Sequence, residues 1–140
     1  MENPIGVFDS GIGGISILEK LKQLLPNENF IYLADNRNCP YGSKSKKEIL
    51  SLSYKNCEKL IEFNCKIIII ACNTSTTNSI QKLREIIPIP IIGIEPGLKP
   101  AIHFTKTKNI GVLATEKTLA SKLFFETLHK NKIDDIHIHE

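Results

Sequence analysis

Four consecutive isoleucines, Ile67 to Ile70, lead through Ala71 and Cys72 into a run of small polar side chains, Asn73 to Ser79. Successive side chains of a strand point to opposite faces, so a run that is apolar at every position requires cover on both sides of its sheet. The segments Ile5 to Asp9, Phe30 to Ala34, Pro90 to Ile94 and Asn109 to Ala114 have the same texture. Helix-type patterns lie between them. Ile15 to Pro26 places Ile15, Leu18, Leu21 and Leu25 on one stripe, and Ser45 to Phe63 opens with Ser45 and Glu48 in capping-box spacing. Thr76 to Ile87 and Glu116 to Lys130 are further helices, and Gly97 to Phe104 is a weak one because of Pro100. Strand and helix alternate throughout, which predicts an α/β fold: a parallel-sheet sandwich with helices on both faces. The segment Ile133 to Glu140 alternates like a sixth strand, with Ile136 and Ile138 opposite His137 and His139. Such a strand ordinarily leads into something, and a further C-terminal half is expected.

A chain of 140 residues suits one compact domain. The net charge of +3, from 18 basic and 15 acidic residues, implies no nucleic-acid partner, and the basic cluster Ser43 to Glu48 reads as a solvated surface. No apolar run approaches the roughly 20 residues needed to span a bilayer, and Met1 to Ser10 lacks the basic-then-apolar order of a signal peptide. A cytoplasmic protein without a membrane partner is expected. Cys39, Cys57, Cys65 and Cys72 form no C-x-x-C pair, so neither a zinc site nor a disulfide framework is indicated.

In an open α/β sheet, ligands bind beyond the carboxyl ends of the strands. By that rule the polar residues of this chain collect on one rim: Asp9 with Ser10 and the glycines 11, 13 and 14, then Asp35 leading to Asn38 to Gly42, Cys72 to Thr76, Glu95 to Gly97 and Thr115 to Thr118. Gly11, Gly13 and Gly14 allow a tight turn and close approach of an anionic ligand to helix-start amides, although the spacing is not that of a dinucleotide fingerprint. Cys72 continues an apolar strand, as a core thiol would. It also occupies the strand-to-helix switch, where helix amides favour a thiolate able to act as nucleophile or base. Asn73, Thr74, Ser75 and Thr76 offer donors and acceptors beside it. Cys39 is a weaker candidate in a neighbouring loop, while Cys57 and Cys65 read as packing residues. A Cys-His-Asn hydrolase would need an imidazole near Cys72. His103, His129, His137 and His139 all fall away from the rim, and no ligand cluster accompanies His137 and His139 to make a metal site.

Taken together, the segments "IGVFDSGIGGISIL", "PYGSKS", "IIACNTST", "IIGIEPG" and "GVLATEKT" resemble the N-terminal domain of bacterial glutamate racemase, in the aspartate/glutamate racemase superfamily. The resemblance covers nearly the whole chain and implies that residues 1–140 form one of the two similar domains of that fold. It implies a cofactor-independent reaction on glutamate, providing D-glutamate for peptidoglycan, in which two cysteines on opposite faces of the substrate remove and return the α-proton. Cys72 matches the first cysteine and Asp9 a residue that assists it or contacts the ammonium group. Ser10, Tyr41, Gly42, Asn73, Thr74, Thr115 and Thr118 match substrate-binding positions, and Glu95 with Pro96 matches a supporting motif.

The sequence departs from the family pattern at Cys39, before "PYG", and in lacking the second cysteine of a "GCTH"-like motif. One half of a site is therefore expected, to be completed by a C-terminal domain or by a second copy in a homodimer. Racemisation of aspartate or another acidic amino acid, and a non-catalytic binding domain, are the alternatives.

Overall fold

The computed structural model describes residues 3–130 and 136–139. The chain runs β1 (Ile5–Asp9), α1 (Ile15–Leu24), β2 (Phe30–Ala34), α2 (Lys46–Glu62), β3 (Ile67–Ile70), α3 (Asn73–Ile86) and β4 (Ile91–Gly93). It continues through α4 (Leu98–Phe104), β5 (Asn109–Gly111), α5 (Glu116–Leu119), α6 (Lys122–Lys130) and β6 (His137–His139). Short 3-10 turns at Asn36–Asn38 and Tyr41–Ser43 fill the loop between β2 and α2.

Strands β2-β1-β3-β4 form one parallel sheet, with Val7 opposite both Tyr32 and Ile69. The isoleucine run divides as the strand period requires. Ile68 and Ile70 pack with Phe8 against Ile49 and Leu60 of α2 and Ile80 and Leu83 of α3. Ile67 and Ile69 pack with Ile5 and Val7 against Ile17, Leu18 and Leu21 of α1. Helices thus cover both faces, and each isoleucine side chain taken fully out of water contributes about 1.5–3 kcal/mol. Ser45 caps α2 as expected: its Oγ accepts from the Glu48 N–H while Glu48 accepts from the Ser45 N–H.

Several local expectations are corrected. Ile15 and Leu25 are not part of the packed stripe; they are 42% and 41% exposed. Leu25 lies past the end of α1 on non-helical backbone, and Ile15 is the first helical residue, at the margin of the face that Ile17, Leu18 and Leu21 present. Helix α3 begins at Asn73 rather than Thr76, directly behind Cys72. The segment 116–130 is two helices, not one. Ser121 breaks it, donating its hydroxyl to the Thr118 carbonyl and accepting from the Phe124 N–H to start α6.

The fifth strand leaves the main sheet. It pairs in parallel with β6, Ile110 opposite Ile138, over a separate cluster of Leu98, Ile102, Ile110 and Phe124. His137 and His139 point away from that cluster and are exposed, and Ile133, Asp134, Asp135 and Glu140 lie outside the described residues. Among the described residues no helix is long and apolar enough to cross a membrane.

Gly93, at the end of β4, touches α3 so closely that a β-carbon there would overlap the Ile80 and Thr76 side chains. Gly93→Ala is expected to lower stability by about 1–3 kcal/mol, read as a lower urea midpoint with an unchanged slope.

Candidate active site

The carboxyl ends of β1, β2 and β3 deliver Asp9, Asp35 and Cys72 to one edge of the sheet. Cys72 is the N-cap of α3: its Sγ accepts from the Ser75 N–H at 3.4 Å, so the start of a 14-residue helix faces the sulfur. The thiol in turn donates to Ser10 Oγ at 3.4 Å. Cys72 is 6% exposed and lies on the same sheet face as Ile68 and Ile70. It is therefore packed like a core residue on one side and presented to a cleft on the other.

That cleft, about 350 Å³, is lined by Asp9, Cys72, Asn73, Thr74, Thr115 and Thr118, with Ile17, Ile94 and Leu113 among its apolar walls. Asp9 is buried and its Oδ2 accepts the Gly11 N–H at 2.9 Å, while the Asp35 N–H donates to the Asp9 carbonyl. Opposite, three hydroxyls form a triangle: Thr74 to Thr115 at 2.9 Å, Thr115 to Thr118 at 3.0 Å and Thr74 to Thr118 at 3.3 Å. Thr115 also caps α5, accepting from the Thr118 N–H. Each hydroxyl has one proton and two lone pairs, so the triangle can turn a donor toward an anionic guest without leaving a member unpaired. Asn78 braces the arrangement, donating from Nδ2 to the carbonyls of Thr74 and Lys117 and so tying α3 to α5.

The sequence-assigned residues Asp9, Cys72, Asn73, Thr74, Thr115 and Thr118 thus meet at one cleft, and Ser10 touches Cys72 beside it. Tyr41 and Gly42 do not line the cleft wall. The Tyr41 side chain is 1% exposed; its hydroxyl donates to Asp35 Oδ2 at 2.6 Å and accepts from Asn56 Nδ2 at 2.9 Å. Burial, then the bond to Asp35, raises its pKa far above the ordinary phenol range. What this segment offers the site is backbone. Gly42 lies so close to Thr115 that a β-carbon would sit 2.7 Å from the Thr115 Cβ.

The glycines of "DSGIGG" form the tight turn from β1 into α1. None has positive φ; Gly14 is required because a β-carbon there would sit 2.8 Å from those of Asp9 and Ala71.

Other assignments separate cleanly. Cys39 is exposed beside Gly11 and outside the cleft lining. Glu95 is exposed, and Pro96 lines an adjoining cavity of about 200 Å³ between α4, β5 and the start of α3. No histidine lines the cleft among the described residues. Sequence reasoning missed Asn56, Asn78 and Tyr32. Asn56 had a legible signal: it falls on the buried face of α2 with Ile49, Ser53 and Leu60, where an amide needs a polar partner.

Comparison with known proteins bears on this geometry. The Asp/Glu/Hydantoin racemase family model matches residues 5–137. The glutamate racemase of Ralstonia pickettii is 49% identical over 125 residues, covering 89% of this chain and 44% of that protein. That of Clostridium novyi is 48% identical over 130 residues, covering 92% and 50%. Among solved structures, Escherichia coli glutamate racemase in complex with L-glutamate and the activator UDP-MurNAc-ala superposes with a TM-score of 0.89 at 32% identity, over 99% of this chain and 52% of that one. Francisella tularensis glutamate racemase in complex with D-glutamate gives a TM-score of 0.78 at 36% identity, over 98% and 51%. The chain spans about half the length of these relatives.

The remaining thiols can be told apart by titration. Burial alone pushes Cys57 up from 9.0 to about 12 and raises Cys65 as well. The folded state holds the Cys57 proton more tightly than the unfolded chain, so its contribution to stability is complete below pH 9 and is lost as pH rises toward 12. Denaturant titration between those limits should show falling stability, with a shallower fall in Cys57→Ala. Alkylation of the native protein at pH 8 should spare Cys57 and label Cys39.

Proposed function

We propose, for a chain that belongs to the Asp/Glu/Hydantoin racemase family, that it supplies one face of a cofactor-independent glutamate racemase site in which Cys72 moves the α-proton. The observation that carries this reading is the placement of Cys72: a sulfur at the N-cap of α3, touching Ser10 and opening on a cleft shared with Asp9 and the threonine triangle.

In the proposed reaction the Cys72 thiolate takes the proton from Cα and becomes a thiol, leaving a planar carbanion whose charge spreads into the adjacent carboxylate. Oriented donors stabilise such charge where it develops. Thr74, Thr115, Thr118 and the start of α3 at Asn73 are those donors, and Asp9 faces the ammonium group or assists the Cys72 proton. Return of a proton to the opposite face of Cα completes inversion. Its donor is a second acid on protein outside the cleft wall built here, as expected for relatives about twice as long as this chain. We assign that acid to a C-terminal domain; a second copy of the chain in a homodimer is the competing source. The product, D-glutamate, would feed peptidoglycan precursors made in the cytoplasm.

Incubating the chain with L- or D-glutamate in deuterated water tests the assignment, with Cα–H loss followed by proton NMR and inversion by optical rotation. One-faced exchange without inversion is expected from the chain alone, with inversion appearing on addition of the C-terminal half of the Ralstonia pickettii relative. Cys72→Ala should reduce exchange by about 10²–10⁴-fold. Full racemisation by a monomer would overturn the one-faced site, and faster turnover of aspartate than glutamate would move the substrate assignment. Absence of exchange even with the added half would sink the reading.

A further inference from the structure

Tyr32 takes no part in the cleft lining, yet its hydroxyl reaches the turn that carries two of the site residues. It stands in β2 opposite Val7 and packs with Ile17 and Leu18 of α1 on the sheet face away from Cys57 and Leu60. Its hydroxyl donates to the Gly11 carbonyl at 3.0 Å and lies against Gly14, whose backbone acts on the phenol by partly offsetting the rise in its pKa. One phenol therefore bonds the first residue of the Gly11–Gly14 turn and packs against the last. The absence of a side chain at Gly14 makes room for it, since a β-carbon there would lie 3.0 Å from the phenol oxygen. Burial, then the charge of Asp9, raises the Tyr32 pKa above its ordinary value, so the group stays protonated at neutral pH and acts as a donor.

The Gly11 residue is consequently held at both of its ends, by Asp9 at the amide and by Tyr32 at the carbonyl. Ser10 immediately precedes this anchored residue, and it is Ser10 Oγ that contacts the Cys72 sulfur. We propose that Tyr32 is a positioning residue for proton transfer: its hydroxyl clamps the Gly11–Gly14 turn and thereby sets Asp9 and Ser10 against Cys72. This rests on the assignment of Cys72 as the proton-transfer group. The clamp acts on one side of the cleft only, because the threonine triangle belongs to α3 and α5 and makes no bond to the turn. Loss of the clamp should therefore slow the chemical step and leave the grip on the substrate carboxylate intact.

Tyr32→Phe keeps the packed ring and removes only the hydroxyl. Deuterium exchange at glutamate Cα under saturating glutamate is expected to slow about tenfold, the worth of one hydrogen bond, with a smaller change in the glutamate dissociation constant. In a Ser10→Ala background the same substitution should cost little more, because both changes interrupt one path. Tyr54→Phe, on the outer part of α2, controls for loss of a phenol and should exchange at the wild-type rate. An unchanged exchange rate in Tyr32→Phe, a loss confined to affinity, or a loss fully additive with Ser10→Ala would each overturn the proposal. If the wild-type chain fails to exchange glutamate, the functional reading falls first. The clamp is then judged by hydrogen exchange of the Gly11 amide, bonded to Asp9, which must quicken in Tyr32→Phe; an unchanged Gly11 amide overturns the clamp as well.

Discussion

The side chains of β1 and β3 leave water on both faces of the sheet, and nearly every later feature of the molecule depends on that two-sided burial. Ile5, Val7, Phe8, Ile68, Ile69 and Ile70 are all 5% exposed or less, so neither strand can shift by one residue without exchanging its two sets of partners. Their carboxyl ends are correspondingly fixed in space. Asp9, the last residue of β1, and Cys72, just past the end of β3, are the first polar side chains there, and their separation is set by the β1–β3 register rather than by any bond between them.

A second constraint follows from the first, because the strands run into helices whose opening turns are buried among hydroxyl and amide groups. Ser53, Ser75 and Ser79 lie in the α2–α3 interface with Ser53 Oγ and Ser75 Oγ 2.6 Å apart, and Ser79 Oγ donates to the Ser75 carbonyl. An unsatisfied buried polar group costs roughly 1–3 kcal/mol, so each of these bonds specifies one arrangement of the helix beneath Cys72. Asp35, Tyr41 and Asn56 do the same under the Gly42 segment, and Gly42 then meets Thr115. The cleft is polar where a guest would lie and braced by satisfied polar contacts behind it.

Parts of this were legible in one dimension. The Ser45–Glu48 capping box, the division of Ile67 to Ile70 between two faces, and the rim position of Asp9, Cys72, Thr74, Thr115 and Thr118 all follow from local chemistry or from the rule for parallel sheets. What failed did so for identifiable reasons. A stripe on α1 through Leu25 fails because the helix ends before that residue. The single helix from Glu116 to Lys130 overlooked a serine that can bond its own backbone. The phenol of Tyr41 is turned inward, where Asp35 and Asn56 satisfy its hydroxyl, a placement that the sequence around it does not announce.

By itself the sequence determined the kind of fold, the order of its elements and the types of group that gather at the strand ends, since periodicity and turn chemistry are local properties. The departure of β5 into a sheet with β6, the closure of the threonine triangle between α3 and α5, and the reach of Tyr32 across to Gly11 and Gly14 were decided only in the tertiary structure. Each joins residues many positions apart whose pairing depends on distances that no local pattern encodes. Such a contact forms only after packing has fixed the register of the strands and the placement of the helices that bear its two halves.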